Sequence, residues 1–583
     1  MPLPPSSGPT DGAIAPPLAG GTEGAAALRP LAGAVIDALE EGALRRCGPL
    51  PGGGPRRVAA GVAEVLRSGV IPERGTGARE ALGSLVRLLA EGAADPADPL
   101  CAAHLHCPPL AVAAAAELGA SALNPSLDSW DQAPAASELE AWTCRALARL
   151  VYHDGSGGDG GPCGDGAAGG RDAGPDALVT TGGTESNQLG LLLARERLGP
   201  DVRVLCGANA HHSVHRAAWL LGLPEPVRVP APGGALDPGA LRATLAAQGR
   251  DTPVLVVATA GTTDAGAVDP LGELAEAARE FGARLHVDAA YGGMLLFSRR
   301  LRPLLAGLER ADSVTLDLHK LGWQPVAAGI FVVPDGRDLS PLGHRADYLN
   351  ADDDCDAGLP DLLGRSLRTT RRADVLKVAV TLRALGRSGL GELVERTCAV
   401  ADSLAQLIDA DPGLELFTRP ELSTVLFRPV GADGATVASV RRRLMSEGTA
   451  LLGRAGIGAC SSGDGGGTGR EGLWLKATLL NPYARSSDLE SLLKLVRDAL
   501  PATGRSSAGP TGRSPAGPTG RSPAGPGAVP ASAPSEAVVA PALAEAGPAS
   551  PATAAGSASL WPPRRPASVD SSTSTSTARS HRS

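Results

Sequence analysis

Between residues 177 and 333 short apolar runs recur: ALVTT (177–181), VRVLC (202–206), PVLVVAT (253–259), RLHVD (284–288), SVTL (313–316) and AGIFVV (328–333). Each is too short for a stable helix and rich in β-branched residues, so each reads as a strand. Helical stretches at 184–197, 212–222 and 270–281 separate most of them. Strands that are apolar at consecutive positions are buried on both faces, and their alternation with helices predicts an α/β domain around a mainly parallel sheet. Ligands of such sheets sit beyond the carboxyl ends of the strands, so chemistry is expected in the residues that follow each run.

Outside this region the pattern dissolves. Residues 1–25 are rich in Pro, Gly and Ala, and from 503 to 583 the repeats GRSSAGPT, GRSPAGPT and GRSPAGP give way to an Ala/Pro/Ser/Thr tail. Too few large apolar side chains are present to offset the entropy of ordering, so both ends are expected to be disordered, which leaves 26–502 as the folded part. The Gly-rich stretch 154–176 reads as a surface insertion, and 461–472 as a loop between two short strands.

Composition narrows the class. A net charge of −8 removes the basic footprint of a nucleic-acid binder. The nine cysteines form no CxxC pair, so reduced, mostly buried thiols are expected, and HLHC at 104–107, with no second cluster, reads as core packing with no metal bound. The N-terminal stretch has neither a basic nor a continuous apolar region, and no apolar run reaches the roughly 20 residues of a membrane span. A soluble, cytoplasmic protein without membrane or nucleic-acid partners is expected.

The residues after the strands are GGTESN (182–187), AHHSVH (210–215), AGTTDAG (260–266), DAAYGG (288–293) and DLHK (317–320). In the first, two glycines and a threonine stand where a strand turns into a helix, so free backbone N–H groups and the positive end of the helix dipole suit a phosphate. The plainer alternative makes Thr184 an ordinary helix cap. Asp288, after an apolar run, is either an ordinary surface carboxylate at a strand exit or, in a low-dielectric setting, a group that wants a cation. Lys320 is a solvated cation, a salt-bridge partner, or an amine able to form a Schiff base. Together, a lysine, a buried aspartate, an imidazole and a phosphate-ready helix point to pyridoxal 5'-phosphate.

The ordered motifs TTGGTESN, AHHSVHRAA, HVDAAYGG and SVTLDLHKLGWQP, with LNPSLDSWDQAPAASELE (123–140), SLRTTRRADVLK (366–377) and LWLKATLLNP (473–482), resemble the group II pyridoxal-phosphate-dependent amino acid decarboxylases. The likeness extends from about residue 95 to 500 and is greatest to the 2,4-diaminobutyrate and siderophore-type lysine decarboxylase branch. It implies an aspartate aminotransferase type fold (fold type I): an N-terminal helical segment (26–125), a large cofactor-binding domain (126–385) and a small C-terminal α+β domain (386–502). It further implies an obligate homodimer with the active site at the interface.

By this resemblance Lys320 tethers the cofactor, Asp288 keeps its ring nitrogen protonated, His211 stacks on one ring face and Ala290 touches the other. Gly183, Thr184 and His319 hold the phosphate, with Thr263 close by, and Tyr348 on a mobile loop returns a proton to Cα. Arg371 matches an arginine behind that loop. Asp317 stands where the aromatic branch has asparagine; a carboxylate there repels a phosphate unless His319 or an arginine screens it. Asp128, Trp130 and Asp131 replace mostly apolar residues of that branch, and carboxylates beside an indole suit a terminal ammonium, hence a diamino acid such as 2,4-diaminobutyrate, ornithine or lysine. Capping or solvent-facing roles for the two aspartates, an aromatic amino acid substrate, another reaction of the same cofactor, and a non-catalytic protein that retains the fold for partner binding are the competing readings.

Overall fold

The computed structural model describes residues 16–152, 174–343, 353, 357–360, 362–457 and 472–501. Residues 1–15 of the expected disordered N-terminus, the whole expected tail from 503, the body of the Gly-rich insertion, the loop after residue 457 and Tyr348 fall outside these residues. Helices α1 (Gly24–Arg46), α2 (Gly54–Val65) and α3 (Ala78–Gly92) come first, so regular structure begins two residues before the expected boundary. The two-residue strand β1 (Cys101–Ala102) and helices α4 (Ala111–Leu123) and α5 (Pro134–Tyr152) follow.

The next stretch builds the larger sheet. In chain order it runs β2 (Asp176–Thr180), α6 (Gly183–Leu198), β3 (Arg203–Gly207), α7 (Ser213–Leu220), β4 (Val227–Val229), α8 (Pro238–Gln248), β5 (Val254–Thr259), α9 (Leu271–Glu280), β6 (Arg284–Ala289), β7 (Ser313–Asp317) and β8 (Gly329–Val333). All six expected strands are present within a residue or two of their read positions, and the short β4 joins them at the edge. The spatial order is β2-β8-β7-β6-β5-β3-β4. Pairing is parallel except at β8, which is antiparallel to both β2 and β7. The reversal follows from the link 318–328, which holds no helix and is too short for a crossover. Because β2, β3, β5, β6 and β7 run one way, their carboxyl ends share one edge, and the motif residues are delivered there together.

A second, five-stranded sheet has the order β1-β11-β12-β10-β9, with β9 (Leu414–Leu416), β10 (Thr424–Pro429), β11 (Leu451–Ile457) and β12 (Gly472–Thr478). Its outermost strand is β1, paired parallel to β11, so the N-terminal segment completes the C-terminal sheet. The helical span Val375–Asp409 bends at Gly386, whose φ of 64° lies in the left-handed region open to glycine. Each sheet has its own apolar core. No helix among the described residues is long and apolar enough to cross a membrane.

Candidate active site

The first element of the site is the turn from β2 into α6. Its N-cap is Gly182, with no side-chain cap, and Thr184 lies exposed in the first turn, so the reading of Thr184 as the cap is set aside. Glycine is required here by close approach. A Cβ on Gly182 would lie 2.8 Å from His319 Cε1, and one on Gly183 would lie 3.0 Å from Ala290 Cβ and 3.1 Å from Asp317 Oδ2. The turn therefore lies directly against the ends of β6 and β7.

At the end of β6, Asp288 is 5% exposed, and both its oxygens have donors: Oδ1 accepts from Ala290 N at 3.1 Å, and Oδ2 from Asn187 Nδ2 at 2.8 Å. Among the described residues no side-chain cation pairs with it, and two N–H groups hold the carboxylate. At the end of β7 the chain curls through 318–320. Lys320 Nζ lies 3.3 Å and His319 Nε2 3.4 Å from Asp317 Oδ2. His319 Nδ1 accepts from Ala328 N at 3.2 Å, which leaves Nε2 to carry the proton toward Asp317. Asp317 Oδ1 is buried with no hydrogen-bond partner among the described residues. Burial pushes the Asp317 carboxyl up from its ordinary value, against the pull of Lys320 and His319, while Asp288 adds to the rise. Asp317, left open by the sequence, is thus the ion partner of Lys320 and faces the Nε2–H of a neutral His319.

His211 stands before α7, with Nδ1 2.8 Å from Ser213 Oγ. Burial holds its pKa below the ordinary histidine value; Asp288 opposes this, and His212 and Lys320 reinforce it. Lys320 and Asp288 thus both act on one imidazole, and Asp288 also acts on Asp317. Four of the expected groups form one electrostatic cluster at the sheet edge. Thr263 is half-buried, and its carbonyl accepts from Lys476 Nζ on β12 at 3.1 Å.

The expected substrate residues lie apart from this cluster in what they touch. Asp131 is exposed and accepts from the Ser129 hydroxyl at 2.5 Å, and Trp130 is half-buried. Asp128 Oδ2 lies 3.5 Å from Thr370 Oγ1, while Oδ1 is buried without a partner among the described residues. Arg371 is 2% exposed, and its Nη1 is held by both oxygens of Glu140 on α5, at 2.8 and 2.9 Å. In HLHC, the core reading applies to Cys107, whose S–H donates to the His319 carbonyl at 3.2 Å, whereas His104 and His106 are exposed.

Sequence reasoning missed Asn187, Ser213, His286 and Thr315, which are fully buried polar residues behind Asp288 and His211. All four stood inside quoted motifs, and the signal was a polar residue at a buried position of its element.

The site fits pyridoxal phosphate on its own geometry. The close-packed glycine turn offers backbone donors, an aspartate held by two N–H groups offers a fixed carboxylate, and a half-buried lysine amine stands beside them. A parallel sheet carrying this set at its carboxyl edge defines a fold type I pyridoxal-phosphate enzyme. The family model described as the pyridoxal-dependent decarboxylase conserved domain matches residues 71–430, and the chain belongs to that family. It is a carboxy-lyase whose cofactor is pyridoxal 5'-phosphate.

The L-2,4-diaminobutyrate decarboxylase of Rhizobium meliloti (strain 1021) is 41% identical over 446 residues, 75% of this chain and 84% of that protein. The enzyme of the same name from Acinetobacter baumannii is 34% identical over 460 residues, 73% and 84% of the two chains. Among solved structures, the glutamate decarboxylase domain of diaminobutyrate-pyruvate transaminase and L-2,4-diaminobutyrate decarboxylase from Vibrio parahaemolyticus matches with a TM-score of 0.69 at 29% identity, covering 83% of this chain and 97% of that one. Oryza sativa TDC, solved with PLP and tryptamine, shares the fold at a TM-score of 0.70 and 21% identity, covering 82% and 99%.

Proposed function

We propose that the protein decarboxylates an L-diamino acid, 2,4-diaminobutyrate foremost, to a diamine and CO2. The observation that carries the substrate reading is the likeness to two L-2,4-diaminobutyrate decarboxylases along 84% of their lengths. Asp128 supports it, because its buried Oδ1 has no partner among the described residues and an arriving ammonium would supply one. Trp130 and Asp131 flank that carboxylate in sequence and complete the substrate end, with Arg371 braced behind by Glu140.

In this reading Lys320 tethers the cofactor and Asp288 presents a carboxylate to its ring nitrogen. His211 and Ala290 bound the two ring faces, and Gly183, Thr184, Thr263 and His319 surround the phosphate. When bound, the cofactor supplies an electron sink for the bond that breaks as CO2 leaves. The protein's own work is to orient that bond, to keep charges fixed in a water-poor site, and to return a proton to Cα from the Tyr348 hydroxyl. Incubating protein and cofactor with a panel of amino acids and identifying products by mass tests the reading. A diamine from a diamino acid is expected; an aromatic amine, an aldehyde or no product refutes it.

The active unit is a homodimer in the cytoplasm. Ile36, Leu39 and Leu44 on α1 and Leu85 and Leu89 on α3 are exposed, and α2 and α3 bury none of their own residues, so a second copy of the chain is the partner that covers these helices. The six described cysteines are all free thiols, in keeping with a reducing compartment. Light scattering should give twice the chain mass, and a monomer would contradict the assembly.

A further inference from the structure

Behind the cofactor residues runs a hydrogen-bonded chain of fully buried side chains drawn from α6, α7, β6 and β7: Asn187, Ser213, His286 and Thr315. Its protons can be assigned from elementary valence. A carboxylate oxygen held by donors only accepts, so the edge of the Asn187 amide that meets Asp288 Oδ2 at 2.8 Å is the NH2 group. The amide is thereby fixed: its second N–H goes to Ser213 Oγ at 2.8 Å, and its Oδ1 accepts from Thr315 Oγ1 at 2.8 Å and His286 Nε2 at 3.0 Å. His286 accordingly carries its proton on Nε2, and its Nδ1 accepts from Ser313 Oγ at 2.8 Å.

Ser213 Oγ receives an N–H from Asn187 and lies 2.8 Å from His211 Nδ1, toward which its own hydrogen is free to point. The backbone N–H of Ser213 points at the same atom from 3.3 Å. With a backbone donor aimed at it and the hydroxyl free to add a second, Nδ1 is an acceptor, and the single ring proton sits on Nε2. Burial, His212 and Lys320 disfavour a second proton, against the pull of Asp288.

We infer that Asn187 is a positioning residue that, through Ser213, holds His211 as the neutral Nε2–H tautomer while the same amide aims the Asp288 carboxylate. One side chain then sets the orientation of two cofactor-facing groups. A neutral ring with a satisfied Nδ1 can lie flat on an aromatic cation without repelling it, and its remaining N–H faces away from the protein-held edge. The inference rests on the placement of His211 and Asp288 at the cofactor, and not on the identity of the substrate.

The test uses the full-length chain labelled with ring-15N histidine, with and without pyridoxal phosphate. His211 is assigned by difference from a His211→Gln variant. The wild type should show an unprotonated Nδ1 and a protonated Nε2. Ser213→Ala should move the tautomer ratio toward Nδ1–H by about fivefold, the worth of one lost hydrogen bond. Asn187→Leu should do the same and also weaken cofactor binding by on the order of tenfold, because a charged acceptor loses its donor. Should Asn187→Leu fail to fold, Asn187→Ala takes its place with the same expected shift, and an unchanged ratio in the folded Asn187 variant would count against the inference. A wild-type His211 protonated on Nδ1, or an unchanged ratio in Ser213→Ala, would overturn the inference. Because the tautomer is also read without cofactor or substrate, a failure of the decarboxylase reading leaves this result intact.

Discussion

Asp288 and Asp317 end neighbouring strands of the same sheet, and both are at least nineteen-twentieths buried, with exposures of 5% and 4%. Their surroundings differ. Asp288 has a donor for each oxygen from rigid elements, the backbone of Ala290 and an amide fixed from three sides. Asp317 shares one oxygen between His319 and Lys320 and leaves the other without a partner among the described residues. The first arrangement is complete before any ligand arrives. The second is not, and a buried acceptor without a donor costs free energy until something supplies one. The comparison separates a permanent electrostatic support from a group whose balance depends on what occupies the glycine turn beside it.

The largest expected effect breaks the first half of this contrast. Asp288→Asn removes the fixed charge from a water-poor site and should lower kcat/KM by on the order of 1,000-fold in a steady-state assay. Asp317→Asn should lower it by only about tenfold, since His319 and Lys320 keep their backbone placement; a fall as deep as that of Asp288→Asn would erase the distinction.

Acid should separate the two poles by sign. Burial pushes His286, which backs Asp288 through Asn187, from 6.5 to about 4. A depressed folded value means that its contribution is complete above 6.5 and is lost as pH falls through about 4, for a total of about 3 kcal/mol. Asp317 is shifted upward, so its contribution has the opposite sense: present below 3.8 and lost as pH rises. Denaturant titrations from pH 7 to 4 should show stability declining in the wild type and a flatter profile in His286→Gln; identical profiles would contradict this account.

A smaller effect probes the packing that brings α6 to the Asp288 pole. A Cβ on Gly190 would lie 2.7 Å from His286 Nδ1, inside contact distance, so Gly190→Ala should destabilise the fold by about 1–3 kcal/mol by overpacking. A neutral result in thermal melting would show that helix and strand have slack there.

The same contrast marks what one sequence can reveal. The strands were legible because runs such as VLVVAT are apolar at every position, and in β5 all six residues are buried. The burial of Asp288 was legible because it directly follows such a run, whereas the ion pair of Lys320 with Asp317 was not. The reversed β8 was hidden in the length of one loop, and β1 in two residues whose partner strand begins at Leu451, far along the chain. The network at Asn187 was illegible for a related reason: its members come from separate stretches, and periodicity tells which positions are buried but not which buried polar groups meet. Thr184 shows the converse, a residue type favoured at caps that stands in the first turn of a helix capped by glycine.

The central claim is that the amine of Lys320 holds the cofactor beside the carboxylate of Asp288. Borohydride reduction of the pyridoxal-phosphate-loaded protein, followed by proteolysis and mass spectrometry, tests it directly. The account predicts one pyridoxyl-modified peptide, with the modification on Lys320, and none in Lys320→Ala. Modification of another lysine, or an unmodified Lys320 in protein that retains decarboxylase activity, would contradict it.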